Sequence, residues 1–270
     1  DEELLFLPLG GAGEIGMNLN LYGYDGKWLM VDLGVSFGDD TMPSNDVYMP
    51  DPAFIVERKD KLVGLVVTHG HEDHLGAIPH LWSKLRCPVY ATPFAAAILK
   101  GKLQEVGLLG KVPLHIIPLG HRFDVGPFNV ELITLTHSIP EPNALAIRTP
   151  AGMVLHTGDW KFDPKPMVGK SADFEALRRL GAEGTLAVVG DSTNVFVEGE
   201  PGSEADVRES LKTLIGQYSG RIAVACFATN VARLESIALA GLAHGRHVSL
   251  VGRSLWRIDQ AARSNGYLKG

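Results

Sequence analysis

The stretch Leu62-Val63-Gly64-Leu65-Val66-Val67-Thr68-His69-Gly70-His71-Glu72-Asp73-His74-Leu75-Gly76 decides the fold. Its first seven residues form a continuous apolar run, the pattern of a strand buried on both faces. Directly after it comes H-x-H-x-D-H, three imidazoles and a carboxylate within six residues. Imidazole and carboxylate suit zinc or manganese. Four titratable groups cannot be buried together without a cation to satisfy them. Surface exposure is the alternative, but it does not explain why they cap the most buried-looking strand.

A loop this short cannot surround two ions, so further ligands are expected from other strand ends. His137 follows the β-like segment 128–136, and Asp159 follows 153–157. Each sits where a strand gives way to a loop, a position that projects a side chain into a shared crevice.

Outward from this centre, residues 4–9 read as a strand followed by a glycine-rich loop. Residues 17–24 and 28–32 flank Tyr24-Asp25-Gly26-Lys27, a strong hairpin signal. Helical patterns cover 75–85 and 93–106. Short β segments fill 114–157, the last two joined by the turn Thr149-Pro150-Ala151-Gly152. After Thr185 the pattern changes: strands at 185–189, 221–225 and 247–251 alternate with helices at 204–218, 231–243 and 255–264. Ser203 and Asp206 stand in capping-box spacing. Such alternation predicts a parallel sheet. The expected fold is α/β: a β-rich sandwich over residues 1–200, then the opening of a separate βα unit over 201–270. Glu198-Gly199-Glu200-Pro201-Gly202 serves as the linker.

Gly11-Ala12-Gly13-Glu14-Ile15-Gly16, with Asp32 downstream, imitates a dinucleotide-binding fingerprint. That fingerprint needs a helix after the glycines to hold a pyrophosphate. The residues that follow alternate into a hairpin instead, so a tight loop near the active site is expected.

Composition narrows the class further. The 270 residues are 45% hydrophobic and 21% charged, as in globular proteins. No apolar run approaches the roughly 18 residues that span a membrane. The acidic start carries no signal-like core, and Cys87 and Cys226 form no CxxC pair and read as small buried hydrophobes. A cytoplasmic location is expected. The net charge of −6 hides an uneven distribution, since residues 205–270 hold nine Lys or Arg against four acids. A basic second half facing a polyanion and ordinary helix surface charge explain this equally well.

H-x-H-x-D-H, a later His and then Gly158-Asp159 reproduce the motif order of the metallo-β-lactamase superfamily. With residues 10–16, Asp32-Leu33-Gly34, residues 158–163, Gly190-Asp191-Ser192-Thr193-Asn194, Phe227-Ala228-Thr229-Asn230 and Val251-Gly252-Arg253-Ser254, the chain resembles the bacterial ribonuclease J family over essentially its whole length. The resemblance implies a metallo-β-lactamase αββα sandwich followed by the first part of a β-CASP domain. It implies two divalent ions, zinc first and manganese second. His69, His71 and His137 would hold one, Asp73 and His74 the other, and Asp159 both. Asp73 would also orient the hydroxide that attacks phosphorus, and Asp191 would support the catalytic centre. The implied activity is hydrolysis of RNA phosphodiester bonds, 5′→3′ exonucleolytic and endonucleolytic, in RNA decay and maturation. The implied partners are single-stranded RNA with a 5′-monophosphate and, in the full-length protein, further copies of the chain, with no membrane involved.

The family carries two later His motifs, and nothing after residue 230 matches them. The chain alone is therefore expected to hold one metal well and the second poorly, and to be nearly inactive. Ser192, Thr193 and Asn230 are candidates for phosphate contact, with helix capping as the competing role for Asn230. Phe227 reads either as a base-stacking group or as a core aromatic. His80, His115, His121 and His156 are expected to be structural, His156 with a possible supporting place behind Asp159. Two rival functions stay open: another hydrolase of the same fold (thioesterase or lactamase type), opposed by the βα unit after Asp191, and a non-catalytic RNA-binding subunit, opposed by the intact metal motif.

Overall fold

The computed structural model describes residues 2–38 and 46–269. Strands β1 (Leu5–Gly10), β2 (Leu19–Tyr24) and β3 (Lys27–Val31) open the chain, followed by the short ribbon β4 (Ser36–Phe37) and β5 (Val47–Tyr48). Helix α1 (Ala53–Val56) leads to β6 (Leu62–Val66), α2 (Glu72–Leu75), α3 (Ile78–Leu85), β7 (Val89–Ala91), α4 (Pro93–Glu105) and β8 (Leu114–Ile116). Then come β9 (Arg122–Val125), β10 (Phe128–Thr134), β11 (Asn143–Thr149), β12 (Gly152–His156), α5 (Phe174–Glu183) and β13 (Ala187–Val189). Helices α6 (Glu204–Gly216), α7 (Val231–Ala243) and α8 (Arg253–Ser264) complete the order.

Two sheets result, one in the order β1-β2-β3-β6-β7-β8 and the other β13-β12-β11-β10-β9. Side-chain alternation with period two shows how they stack. On β3, Leu29 and Val31 point into a cluster with Val130, Leu132, Leu145 and Ile147 of the other sheet. Met30 between them joins Leu65, Leu81, Trp82 and Leu99, on the face covered by α3 and α4. On the second sheet, Ile133, Ala144, Ala146 and Met153 face away from the first and meet Ala176 and Leu180 of α5. The layers are therefore helix, sheet, sheet, helix, as the resemblance implies. Neither hairpin departs from its sequence signal: Tyr24 pairs with Lys27 around Asp25 and Gly26, both with positive φ, and Thr149 pairs with Gly152. The glycine-rich loop runs into β2 rather than into a helix, which removes the dinucleotide reading.

The second half agrees with expectation in its helices and departs from it in its strands. Ser203 and Asp206 form the capping box of α6, and α7 spans 231–243 as read from the sequence. Residues 221–225 and 247–251, expected as strands, take no part in a ladder among the described residues. Val224, Val248 and Val251 are correspondingly 43%, 41% and 83% exposed. A helix completes its hydrogen bonds within its own segment, whereas a strand needs a neighbour. Helices α7 and α8 pack on the sandwich through Val231, Leu234, Ile258, Ala261 and Ala262 against Phe94 and Ile139.

Candidate metal centre

The site is built at the C-terminal end of β6. Asp32, fully buried just beyond β3, adopts φ +62°, unusual for a residue with a side chain. Its Oδ1 accepts the Thr68 backbone N–H at 2.8 Å, and its Oδ2 accepts the Thr68 hydroxyl at 2.8 Å. His74 Nδ1 lies 2.7 Å from the same Oδ2. One carboxylate thus fixes both ends of the His-rich turn. The backbone adds three bonds: Asn18 N–H to Asp73 O at 3.0 Å, Leu33 N–H to His74 O at 2.8 Å and Val35 N–H to Glu72 O at 3.0 Å. This docking requires Gly34, because a Cβ there would fall 1.6 Å from Asp73 O.

The ligand groups predicted from sequence converge. His69, His71, His137 and Asp159 each offer an atom within 4.8 Å of the others, and so do Asp73, His74 and Asp159. His69 Nε2 lies 3.0 Å from His71 Nδ1, which lies 3.2 Å from His137 Nε2. His74 Nε2 is 3.2 Å from Asp159 Oδ1 and 3.4 Å from Asp73 Oδ2, while Asp159 Oδ2 is 3.8 Å from His137 Nε2. Asp159 belongs to both groups, and Gly158 (φ +55°) turns the chain from β12 to place it there.

The hydrogen bonds also fix which imidazole nitrogens are free. Thr68 has one hydroxyl proton, and Asp32 receives it. Its oxygen, 3.0 Å from His69 Nδ1, therefore accepts the proton of that nitrogen and leaves Nε2 with an open lone pair toward the cluster. His74 likewise donates from Nδ1 to Asp32, leaving Nε2 facing Asp73 and Asp159. This is the carboxylate–histidine support that metal-ligating imidazoles use.

Protonation tendencies match a cation site. Burial, reinforced by the neighbouring imidazoles, holds His69 well below the ordinary histidine range. Burial and then His137 press His71 down to about 3, and burial also lowers His137. Each neutral ring has a single N–H, so three nitrogens 3.0–3.2 Å apart leave at least one lone pair facing another, which a cation among them would satisfy. Burial opposes charge on His74, but Asp32, Asp159 and Asp73 around it raise it well above the usual value. Burial raises Asp159, yet its hydrogen bond to His74 and the surrounding imidazoles hold it at about 2. Asp73 is lowered for the same reasons. His74 therefore favours its charged form among three carboxylates, a role that a divalent cation bound there would take over. The donor set fits divalent ions.

The remaining sequence candidates lie outside both ligand groups. Asp191 accepts the Thr193 N–H at 2.8 Å in its own turn, while its N–H donates to Thr157 Oγ1. Its charge partly offsets the burial that lowers His137, so it acts on the centre through space. Ser192 and Thr193 are exposed. Asn230 Oδ1 accepts the Arg233 N–H at 2.9 Å, so this side chain caps α7. Phe227 is 86% exposed in this chain. His156 is buried 2.9 Å from the Tyr22 hydroxyl, while His80, His115 and His121 are exposed away from the cluster. Of the basic residues in the second half, Arg208, Arg233, Arg257 and Arg263 are in ion pairs with acids. Sequence reasoning missed the roles of Asp32 and of Asn18, whose amide donates to Asp73 O at 3.0 Å. The available signal was an acid ending an apolar strand.

Comparison with known proteins agrees with this architecture. A model of the metallo-beta-lactamase superfamily matches residues 17–217, and one of the ribonuclease J beta-CASP domain matches residues 219–270. Ribonuclease J of Sinorhizobium meliloti is 47% identical over 274 residues, covering 100% of this chain and 49% of the relative. Those of Corynebacterium glutamicum and Thermus thermophilus are 42% and 37% identical, covering 98% and 97% of this chain and 37% and 47% of theirs. The chain thus spans about half or less of the length of these relatives. A protein of unknown function from Enterococcus faecalis V583 shares the fold, with a TM-score of 0.60 at 19% identity over 88% of this chain and 63% of its own. No helix among the described residues is long and apolar enough to cross a membrane.

Proposed function

The chain belongs to the metallo-β-lactamase superfamily, and from that premise we propose that it is the N-terminal portion of a metal-dependent ribonuclease of the J type, hydrolysing RNA phosphodiester bonds. In this reading residues 1–200 form the metallo-β-lactamase domain and 201–270 open the β-CASP domain. The observation that carries it is the sharing of Asp159 between the His69–His71–His137 group and the Asp73–His74 pair.

His69, His71 and His137 would hold one ion, Asp73 and His74 the other, and Asp159 would serve both. Zinc suits this nitrogen-rich set best, with manganese second. When bound, two divalent ions supply Lewis acidity toward phosphoryl oxygens and activate water at neutral pH. The protein's own part is positional. Asp32, through Thr68, holds His69 in the tautomer that leaves Nε2 free, and holds His74 by Nδ1 so that its Nε2 faces Asp73 and Asp159. Asp73, with its side chain 30% exposed, would also orient the attacking hydroxide. Asp191 adds negative potential beside His137. Ser192, Thr193 and the exposed Phe227 are substrate contacts in this reading, to phosphate and base respectively. Asn230, occupied as a cap, contributes through the N-terminus of α7. The substrate is single-stranded RNA with a 5′-monophosphate, cut both exonucleolytically and endonucleolytically in the cytoplasm, by an oligomer of the complete protein.

The test is hydrolysis of 5′-monophosphorylated single-stranded RNA by the complete gene product with zinc or manganese, beside a thioester and a β-lactam. The expected result is RNA cleavage that Asp73→Ala abolishes. Equal RNA degradation by Asp73→Ala, or hydrolysis of the thioester or lactam alone, would contradict the reading.

A further inference from the structure

His137 reaches the metal cluster from a loop that has no sheet ladder of its own. Between β10 and β11 the chain passes through His137, Ser138, Ile139, Pro140, Glu141 and Pro142, and the strands close behind it at Leu135 N–H to Pro142 O, 2.9 Å. Something outside the sheet must set the loop's position, and Glu141 has the contacts to do so. It is only 6% exposed and adopts φ +60°, a left-handed conformation costly for a residue with a side chain.

Its carboxylate joins two other parts of the molecule. Oε2 accepts the Phe94 backbone N–H at 2.8 Å, in the first turn of α4. Oε1 accepts the Tyr267 hydroxyl at 2.8 Å, just beyond α8. The Tyr267 ring meets Phe94 edge-on at 5.8 Å, and Ile139 of the same loop is buried with Phe94, Ile258 and Ala262. An independent observation concerns α4 itself. Thr92, at its N-cap position, makes no side-chain capping bond, and its buried hydroxyl has no hydrogen-bond partner. Glu141 thus supplies the acceptor that a helix start requires, and places a negative charge where the helix dipole favours one.

We propose that Glu141 is a positioning residue for His137, through which the segment after α8, by way of Tyr267, governs how well the three-histidine site holds a metal. The carboxylate hydrogen-bonds both α4 and Tyr267 while sitting four residues from His137 on the same unladdered loop. Loss of either contact lets that loop relax and withdraws His137 from His69 and His71. The proposal rests on the metal-site reading above and concerns metal affinity, not substrate.

The test is titration of the metal-free chain with cobalt(II), read by visible absorption, which reports the number and geometry of ligands, and with zinc by competition. Tyr267→Phe and Glu141→Gly should each weaken binding by about tenfold, the lower end for groups behind a ligand, and change the cobalt spectrum. Glycine suits the left-handed backbone at 141, so this variant removes the carboxylate without adding strain. Glu141→Gln keeps an acceptor for Phe94 and should retain most of the affinity. Ile258→Val loosens the same apolar cluster without touching the carboxylate and should leave affinity and spectrum unchanged. Unaltered cobalt binding in Tyr267→Phe and Glu141→Gly, or equal weakening in Ile258→Val, would overturn the proposal. A wild-type chain that binds no cobalt would overturn the site reading itself, and the proposal with it.

Discussion

The metal cup and the segment around residues 219–252 are made of similar material and end differently. Both offer apolar stretches followed by polar turns. In the cup, β6 lies between β3 and β7, so its backbone is paired on both sides and its last residues are held in place. Asp32 and three backbone bonds then fix the turn. In the later segment, residues 221–225 and 247–251 have no ladder among the described residues and leave valines exposed. Pairing on both sides of β6 is what holds the His-rich turn in place. The helices between the unpaired stretches form regardless, each through bonds within itself.

The comparison can be broken most severely at Asp159, the residue shared by both ligand groups. Asp159→Ala should weaken zinc binding more than about a hundredfold, beyond the range for groups behind a ligand, as measured by equilibrium competition. Retention of near-wild-type affinity would mean that the two groups do not share this carboxylate. One layer outward, Asp32→Asn should cost about 10–100-fold in zinc affinity, because an amide cannot serve Thr68 and His74 as a carboxylate does. The same variant should melt earlier even without metal, since it disturbs a fully buried hydrogen-bonded group.

Denaturant unfolding of two further variants sharpens the contrast in packing. Leu145, fully buried between the sheets, should lose about 2–5 kcal/mol on change to Ala, while Val251→Ser should stay within about 0.5 kcal/mol. A large loss at Val251 would show that residues 247–251 are covered in solution. A further effect is expected on pH. Burial lowers His156 to about 4, and its Nδ1 shares a hydrogen bond with the Tyr22 hydroxyl at 2.9 Å. An unfolded histidine takes up its proton near 6.5, so the unfolded state binds more protons below that value. Metal-free stability should therefore fall as pH drops from about 6.5 toward 4. His156→Gln should flatten that slope in thermal melts, and an unchanged slope would mean that other groups cause it.

What could be read in the sequence follows the same division. The His69–His74 motif was legible because ligand spacing is local, and the hairpin turns and capping box because their chemistry spans only a few residues. His137 and Asp159 were reached from the rule that strand ends project into one crevice, and the structure brings them there. Helix α5 was not foreseen: its apolar positions, including Ala176 and Leu180, make sense only against the second sheet. Asp32 stood within a misleading fingerprint, and its partners, Thr68 and His74, lie 36 and 42 residues away. Glu141 was equally silent, since its contacts with Phe94 and Tyr267 are set by tertiary packing. The expected strands at 221–225 and 247–251 had the right composition, but pairing belongs to two segments and cannot be read from one.

Anomalous diffraction at the zinc edge from crystals of the zinc-loaded chain tests the central claim most directly. The account predicts a strong peak at about 2.0–2.2 Å from ring nitrogens of His69, His71 and His137, and a weaker one beside Asp73 and His74, with Asp159 bonded to both. A single zinc bound elsewhere, or a peak at the His69–His74 turn with His137 and Asp159 outside bonding distance, would contradict it.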